Sequence, residues 1–291
     1  MSIVLNFVTI LFMAKIIDGN KIAQTILDEI KPEVDGLKLT GKVPKLVIVS
    51  YNPSLASKTY IGLKLARAKE LGVACEVLDW VGQSLDACMS AMAALSGKQD
   101  VDGIIVQLPT RGLEGYQELL NAIPASKDVD GLSDESLELL RANSAKLIPA
   151  TPRAILELIA RSQIDLQGKA IVIIGQGKLV GLPLSVIMKN KNLDVVGIDI
   201  NTTNASQVIK SADVVIAAAG QANLITGTMI KPGAVVLDAG TSEQNGELGG
   251  DVEYSSVEPV ASMVSKVPGG IGPVTVACLL QNVVEASKNS Q

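Results

Sequence analysis

The sequence predicts an α/β protein built from two βαβ-type domains, the second a Rossmann-like dinucleotide-binding domain. Three observations carry this. Short β-branched apolar runs alternate with segments of helical periodicity along most of the 291 residues, a length that suits two domains. Hydrophobic residues make up 47% of the chain but aromatics only 2%, so the core is aliphatic, as buried parallel strands covered by helices require. A glycine-rich turn, Gly175-Gln176-Gly177-Lys178-Leu179-Val180-Gly181, lies between one such strand and one such helix.

Ile3–Met13 is apolar but shorter than the roughly 20 residues that a membrane-spanning helix needs. No basic residue precedes it and no small-residue cleavage site follows, so it makes a poor signal peptide. Met13 opens Ala-Lys-Ile-Ile-Asp-Gly, an ordinary domain start, and residues 1–12 are expected to be an upstream extension. Lys45–Ser50 is β-branched and predicts a strand; Lys58–Leu71 has helical spacing. Glu76–Val81 reads as a strand, Ser84–Leu95 as a helix, Val101–Gln107 as a strand ending at Leu108-Pro109, and Tyr116–Ile123 as a helix. A boundary near Pro149–Pro152 separates residues 13–150 from 151–272. Thr151 suits an N-cap and Pro152 a first helical residue for a helix through Ala154–Arg161. The second series follows, with a strand at Lys169–Ile174, a helix at Pro183–Lys191, and strands at Asp194–Ile200, Asp213–Ala219 and Ala234–Ala239. A last helix over 273–288 is expected to pack back on the first domain.

Composition excludes several classes. With 25 Lys+Arg against 30 Asp+Glu and no run of like charge, the chain lacks the basic patch of a nucleic-acid binder. Cys75, Cys88 and Cys278 form no CxxC pair and no even framework, which points to a reducing cytoplasm. The chain has no histidine, so Ser-His-Asp triads and histidine metal sites are ruled out. Acid–base chemistry falls to Lys, Tyr, Asp or Glu.

Val267-Pro-Gly-Gly-Ile-Gly-Pro-Val-Thr275 packs three glycines and two prolines ahead of the apolar run Val276–Val284. Glycine serves positive φ or a close ligand, so the segment reads as a rigid ligand-facing loop feeding a helix; a plain tight turn is the alternative. Gly175, Gly177 and Gly181 stand where a Rossmann-type fold seats a dinucleotide pyrophosphate on backbone N–H groups. Asp199, 24 residues after Gly175, is placed for the adenosine ribose or is a solvated strand-end aspartate. Tyr60 and Lys64 share one helix face at i and i+4. A Tyr-x-x-x-Lys pair suggests a short-chain dehydrogenase, but there it follows the glycine loop and here it precedes it. Taken alone, the pair is as well explained by a surface tyrosine near a lysine. Gln107, at a strand end, and Asp130, in the polar turn Lys127–Gly131, are placed to meet it, because ligands of α/β sheets bind outside the carboxyl ends of strands. Asp130 also fits an Asx-turn.

In order along the chain, these segments resemble the bifunctional methylenetetrahydrofolate dehydrogenase/methenyltetrahydrofolate cyclohydrolase family. The resemblance rests on Ser57-Lys-Thr-Tyr-Ile-Gly-Leu-Lys64, Asp102-Gly-Ile-Ile-Val-Gln-Leu-Pro109, Lys127-Asp-Val-Asp-Gly-Leu132 and Thr151-Pro152. It continues through Gly168-Lys169, Leu179-Val-Gly-Leu-Pro183, Lys231-Pro-Gly233 and Pro268-Gly-Gly-Ile-Gly-Pro-Val-Thr275. Single motifs are weak and the ordered set is strong. The resemblance implies that Tyr60 stacks on the aminobenzoyl ring of folate, Lys64 transfers protons for cyclohydrolysis, and Gln107 hydrogen-bonds Lys64. Asp130 would bind the pterin edge, while Gly270 and Pro273 line a folate cleft between the domains. Gly175, Gln176, Gly177, Gly181, Asp199 and Thr241 would line the NAD(P) site. It implies a homodimer joined through the nucleotide-binding domains, and no metal, since the substrate carries the positive charge. A monofunctional dehydrogenase and a non-catalytic dinucleotide-binding protein are the alternatives; retention of Tyr60, Lys64, Gln107 and Asp130 argues against both.

The chain departs from the family where the adenosine end of the cofactor is expected. Members commonly carry Gly-Arg-Ser and Cys-His-Ser, where this chain has Gly175-Gln176-Gly177 and Ile198-Asp199-Ile200. Family habit therefore implies NADP, whereas local charge points to NAD. Lys178 is the nearby cation that could rescue a 2′-phosphate.

Overall fold

The computed structural model describes residues 13–244 and 247–289, so the upstream extension expected at 1–12 lies outside the described residues. The described residues begin with strand β1 (Lys15–Ile17) and helix α1 (Gly19–Leu39), neither of which the sequence reading marks out. Pro32 inside α1 removes a backbone donor and disfavours the helix locally. Burial outweighs this: Ala23, Ile26, Leu27, Ile30, Val34 and Leu37 recur at helical spacing on one buried face.

The first lobe follows as β2 (Lys45–Ser50), α2 (Leu55–Leu71), β3 (Ala74–Asp79), α3 (Leu85–Ser96), β4 (Gly103–Val106), α4 (Tyr116–Asn121) and α5 (Asp134–Arg141). Its three parallel strands run in the order β3-β2-β4. β3 starts two residues before the expected Glu76, because Gly72 ends α2 in the left-handed conformation and the chain enters the strand at once. Helix α5 was not expected, although its signals are present: Ser133 caps it, Asp134 and Glu135 occupy its first turn, and Arg141 its last.

The second lobe comprises α6 (Ala150–Arg161), β5 (Ile171–Ile174), α7 (Gly181–Asn190), β6 (Val195–Ile198), α8 (Ala205–Ser211), β7 (Val214–Ala217) and β8 (Val235–Asp238). The short antiparallel pair β9 (Ser242–Gln244) and β10 (Glu247–Gly249), helix α9 (Tyr254–Val257) and strand β11 (Met263–Ser265) complete it. Six strands form one parallel sheet in the order β1-β11-β8-β7-β5-β6, so β1, which precedes the first lobe, joins the sheet of the second. Helix α6 begins at Ala150 rather than after a Thr151 cap, and Pro152 occupies its third position. First-turn N–H groups have no intrahelical partner, so proline is tolerated there. The same holds for α10 (Ile271–Asn289), where Pro273 is third rather than first.

Helix α10 packs on α1, α6 and α2 and over β2 and β4, as expected of a last helix returning to the first lobe. Its buried residues Val276, Leu280 and Val283 join Ile30, Val34, Ile155 and Leu158 in one continuous core. Buried Asn282 ties the helix down, its amide donating to the carbonyls of Val129 and Ile148 at 2.8 and 2.7 Å. Arg153 makes a bidentate pair with Glu285 and also donates to Asn282 at 2.6 Å. The chain entering Asp130 is thereby fixed.

Candidate active site

The site begins with a helix cap. Ser54 Oγ accepts the Ser57 N–H at 3.0 Å, and Ser57 Oγ donates to the Leu108 carbonyl at 3.3 Å. These bonds dock the first turn of α2 against the segment following β4, and the i, i+4 spacing then carries Tyr60 and Lys64 to the same place. Lys64 is buried, with Nζ donating to Gln107 Oε1 at 2.8 Å. The Gln107 Nε2 donates to Leu108 O at 2.9 Å, so the amide can present only its oxygen to Lys64. Gln107 therefore holds the amine without adding charge.

Burial lowers the Lys64 pKa, opposed by the negative charge of Asp130 and, to a lesser extent, by Cys75. Burial raises the Asp130 pKa; Lys64 pulls it down and the neighbouring Asp128 pushes it up. The two aspartates divide their work. Asp128 closes the turn, accepting from the N–H groups of Gly131, Leu132 and Ser133 and from Ser136 Oγ. Asp130 has no such duty: among the described residues no hydrogen bond occupies its carboxylate.

Tyr60, Lys64, Gln107, Asp130, Gly270 and Pro273 all line one cleft of about 800 Å³ between the lobes. Its floor includes the glycine loop after Pro268. Gly19, at the start of α1, donates its N–H to Gly269 O at 2.9 Å, and a Cβ there would come within 1.8 Å of Gly270 O. Asn20, Arg111 and Lys266 also line the cleft and were not singled out from sequence. Lys266 directly precedes the Val267–Thr275 motif, which was the signal for it; Asn20 depends on α1.

The second set of residues gathers at the carboxyl end of β5. Gly175 has φ +88°, and a Cβ on it would lie 2.4 Å from Ala218 O. A Cβ on Gly181 would lie 1.7 Å from Gly175 O, whereas the space beside Gly177 is open. The turn after β5 thus rests directly on the turn after β7, with β6 on the other side of β5. This is the topological switch point, where open α/β sheets take their ligands. The crevice fits a dinucleotide, with the glycines allowing close approach and a helix N-terminus behind them.

Gln176 folds inward: Nε2 donates to Ile173 O and Gly175 O at 3.1 and 3.3 Å, and Oε1 accepts from Ser185 Oγ at 3.1 Å. It lies over Gly197, where a Cβ would come within 2.5 Å of it. Asp199 is exposed beyond β6, with Oδ1 accepting from Asn201 N at 2.9 Å and Thr202 Oγ1 at 3.2 Å. Lys178 turns to the other lobe, pairing with Asp134 at 2.8 Å. Of the residues expected at the cofactor, Thr241 alone lines the large cleft, and the others sit around the crevice. Among the described residues no group of three or more His, Cys, Asp or Glu could hold a metal, and no helix is long and apolar enough to cross a membrane.

Comparison with known proteins gives concordant matches. Residues 17–130 match the profile of the tetrahydrofolate dehydrogenase/cyclohydrolase catalytic domain, and residues 149–291 that of the NAD(P)-binding domain of the same proteins. The bifunctional protein FolD of Heliobacterium modesticaldum is 40% identical over 273 residues, covering 93% of this chain and 95% of its own. The crystal structure of the bifunctional FolD methylenetetrahydrofolate dehydrogenase/cyclohydrolase of Campylobacter jejuni superposes with a TM-score of 0.90 at 32% identity, covering 96% of this chain and 100% of that one. The FolD enzyme of Trypanosoma brucei, solved with NADP cofactor and an inhibitor, gives a TM-score of 0.90 at 30% identity, covering 96% and 98%.

Proposed function

The chain belongs to the tetrahydrofolate dehydrogenase/cyclohydrolase family, and on that premise we propose that Lys64 and its neighbours serve both reactions in the cleft between the lobes. Methylenetetrahydrofolate is oxidised to the methenyl cation, and water then opens the cation to formyltetrahydrofolate. The observation that carries this reading is the buried Lys64–Gln107 pair facing the unoccupied carboxylate of Asp130 in one cleft. Asp130 receives the donors of the pterin edge, and Tyr60 offers its ring as a stacking face. Lys64, with its pKa lowered by burial, takes the proton of the attacking water and returns one to the departing ring nitrogen. Gln107 keeps the amine aimed. When bound, the dinucleotide supplies the hydride acceptor. The turn at Gly175, Gly177 and Gly181 would hold its pyrophosphate, with Thr241 on the folate side of the crevice. A spectrophotometric assay of methenyl-folate formation and decay, run with NAD and NADP in parallel, tests the reading. Formation with neither cofactor would sink it.

NAD is the cofactor that the ribose end of the crevice favours, against a family in which the Trypanosoma brucei enzyme was solved with NADP. Gln176 has committed its amide to the backbone and Ser185, Asp199 brings a negative charge, and Lys178 is paired elsewhere.

Asp130→Ala is expected to weaken folate binding at least about tenfold. Ligand donors left unpaired in a buried site cost about 1–3 kcal/mol, and about 1.4 kcal/mol is one decade of affinity. Titration with folate checks this, and unchanged binding would reduce Asp130 to a loop residue.

A homodimer joined through the second lobes is the assembly we propose. β6 is the edge strand of the six-stranded sheet, and it carries exposed Val196, with exposed Ile200 just beyond it. An edge with apolar side chains suits an isologous two-fold contact. Light scattering at micromolar concentration is expected to give twice the chain mass; a monomer mass would refute the dimer. The unpaired thiols Cys75, Cys88 and Cys278 accord with a reducing, cytoplasmic setting.

A further inference from the structure

Two buried aspartates at the carboxyl end of the large sheet have no part in the chemistry above. Asp238, the last residue of β8, accepts the N–H groups of Gly240, Asp251 and Val252, each at 3.0 Å. Asp251 is wholly out of solvent. Its Oδ2 accepts the N–H groups of Ala219 and Gly220, at 2.5 and 3.0 Å, in the turn after β7. Its Oδ1 is buried with no hydrogen-bond partner among the described residues. Among the described residues no basic side chain compensates either carboxylate, and burial raises the pKa of both. An uncompensated buried carboxylate is expensive, so its hydrogen bonds must hold something that a neutral side chain would hold less well.

What they hold is the turn that meets the glycine turn of the crevice. Ala218 O is the atom that a Cβ on Gly175 would strike, at 2.4 Å, so the turns after β5 and β7 touch at the switch point. One residue further along, Ala219 and Gly220 are tied to Asp251. We infer that Asp251 is a positioning residue for dinucleotide binding, fixing the turn after β7 against the turn after β5 and so setting one wall of the crevice. This rests on the reading that a dinucleotide occupies the crevice. Asp251 itself does not line the folate cleft, although it packs against Gly240 and bonds Asp238, which do, so hydrolysis is measured beside binding.

The test separates binding from hydrolysis. NAD and NADP are titrated calorimetrically into wild type, Asp251→Ala and Asp251→Asn, and each protein is assayed for hydrolysis of methenyl-folate, which needs no dinucleotide. Asp251→Ala is expected to weaken dinucleotide binding at least tenfold, with hydrolytic turnover within about twofold of wild type. Asp251→Asn keeps an oxygen for the two N–H groups but is a weaker acceptor without charge, and is expected to lose about three- to tenfold. Wild-type affinity in either folded variant would overturn the inference. A parallel loss of hydrolysis in both variants would overturn it too, by making Asp251 a general fold residue. Should the alanine variant fail to fold, the asparagine variant decides. If wild type binds neither NAD nor NADP, it is the reading of the crevice that fails.

Discussion

Lys64→Met is expected to abolish hydrolysis of methenyl-tetrahydrofolate while leaving dinucleotide binding unchanged. One positioned acid–base group is worth roughly two to four orders of magnitude in rate, and among the described residues no second amine shares the hydrogen bond to Gln107. Methionine preserves the apolar stem packed in α2, so the fold should survive. A free lysine titrates near about 10.4 and is almost wholly protonated at neutral pH. Burial lowers the Lys64 value, and the positive charge of the methenyl substrate would lower it further. Because the neutral amine is the active form, the wild-type rate should climb with pH through that lowered pKa, and the climb should vanish in the variant. Lys64→Arg should fail as well, since a guanidinium keeps its proton in proteins. Hydrolysis at the wild-type rate by Lys64→Met would remove Lys64 from the mechanism.

The second large effect is a change of cofactor. Asp199→Ser combined with Gln176→Arg is expected to shift preference from NAD toward NADP by more than about tenfold. A 2′-phosphate carries up to about two negative charges by analogy with other phosphate monoesters. Beside the exposed Asp199 it meets repulsion of about one to a few kcal/mol, on a Coulomb estimate at intermediate dielectric. The arginine would supply a forked donor set in place of the Gln176 amide, whose N–H groups now go to Ile173 O and Gly175 O. Steady-state kinetics with both dinucleotides reads the ratio. A wild-type enzyme that already prefers NADP tenfold would show that Asp199 does not face the ribose.

Local pattern carried much of this fold, and the reasons it fell short are physical. β2, β5 and β7 are β-branched runs buried on both faces, so each shows as a run of Val and Ile flanked by turn residues. β1 has three residues, and its partner is β11, with Lys15 opposite Met263; no local rule sees a pairing that distant. Helix α1 was obscured by Pro32, whose local penalty is overridden by tertiary packing. At the site, Tyr60 and Lys64 were legible because helical spacing fixes a shared face. The division of labour between Asp128 and Asp130 was not, because an alternating pair does not reveal which carboxylate turns inward. Gln176 could be located but not oriented: its inward fold depends on Gly197, in the adjacent strand, leaving room for it.

The exchange of end segments between the lobes bears on how the chain matures during synthesis. β1 precedes the other described strands yet, among the described residues, pairs only with β11, and one face of the first lobe's sheet stays uncovered until α10 is made. Long-range contacts of this kind delay folding and prolong exposure of apolar surface. The lobe that leaves the ribosome first is therefore the last to be completed. A nascent chain stopped before α10 is expected to be a client for chaperones rather than a free-standing half-enzyme.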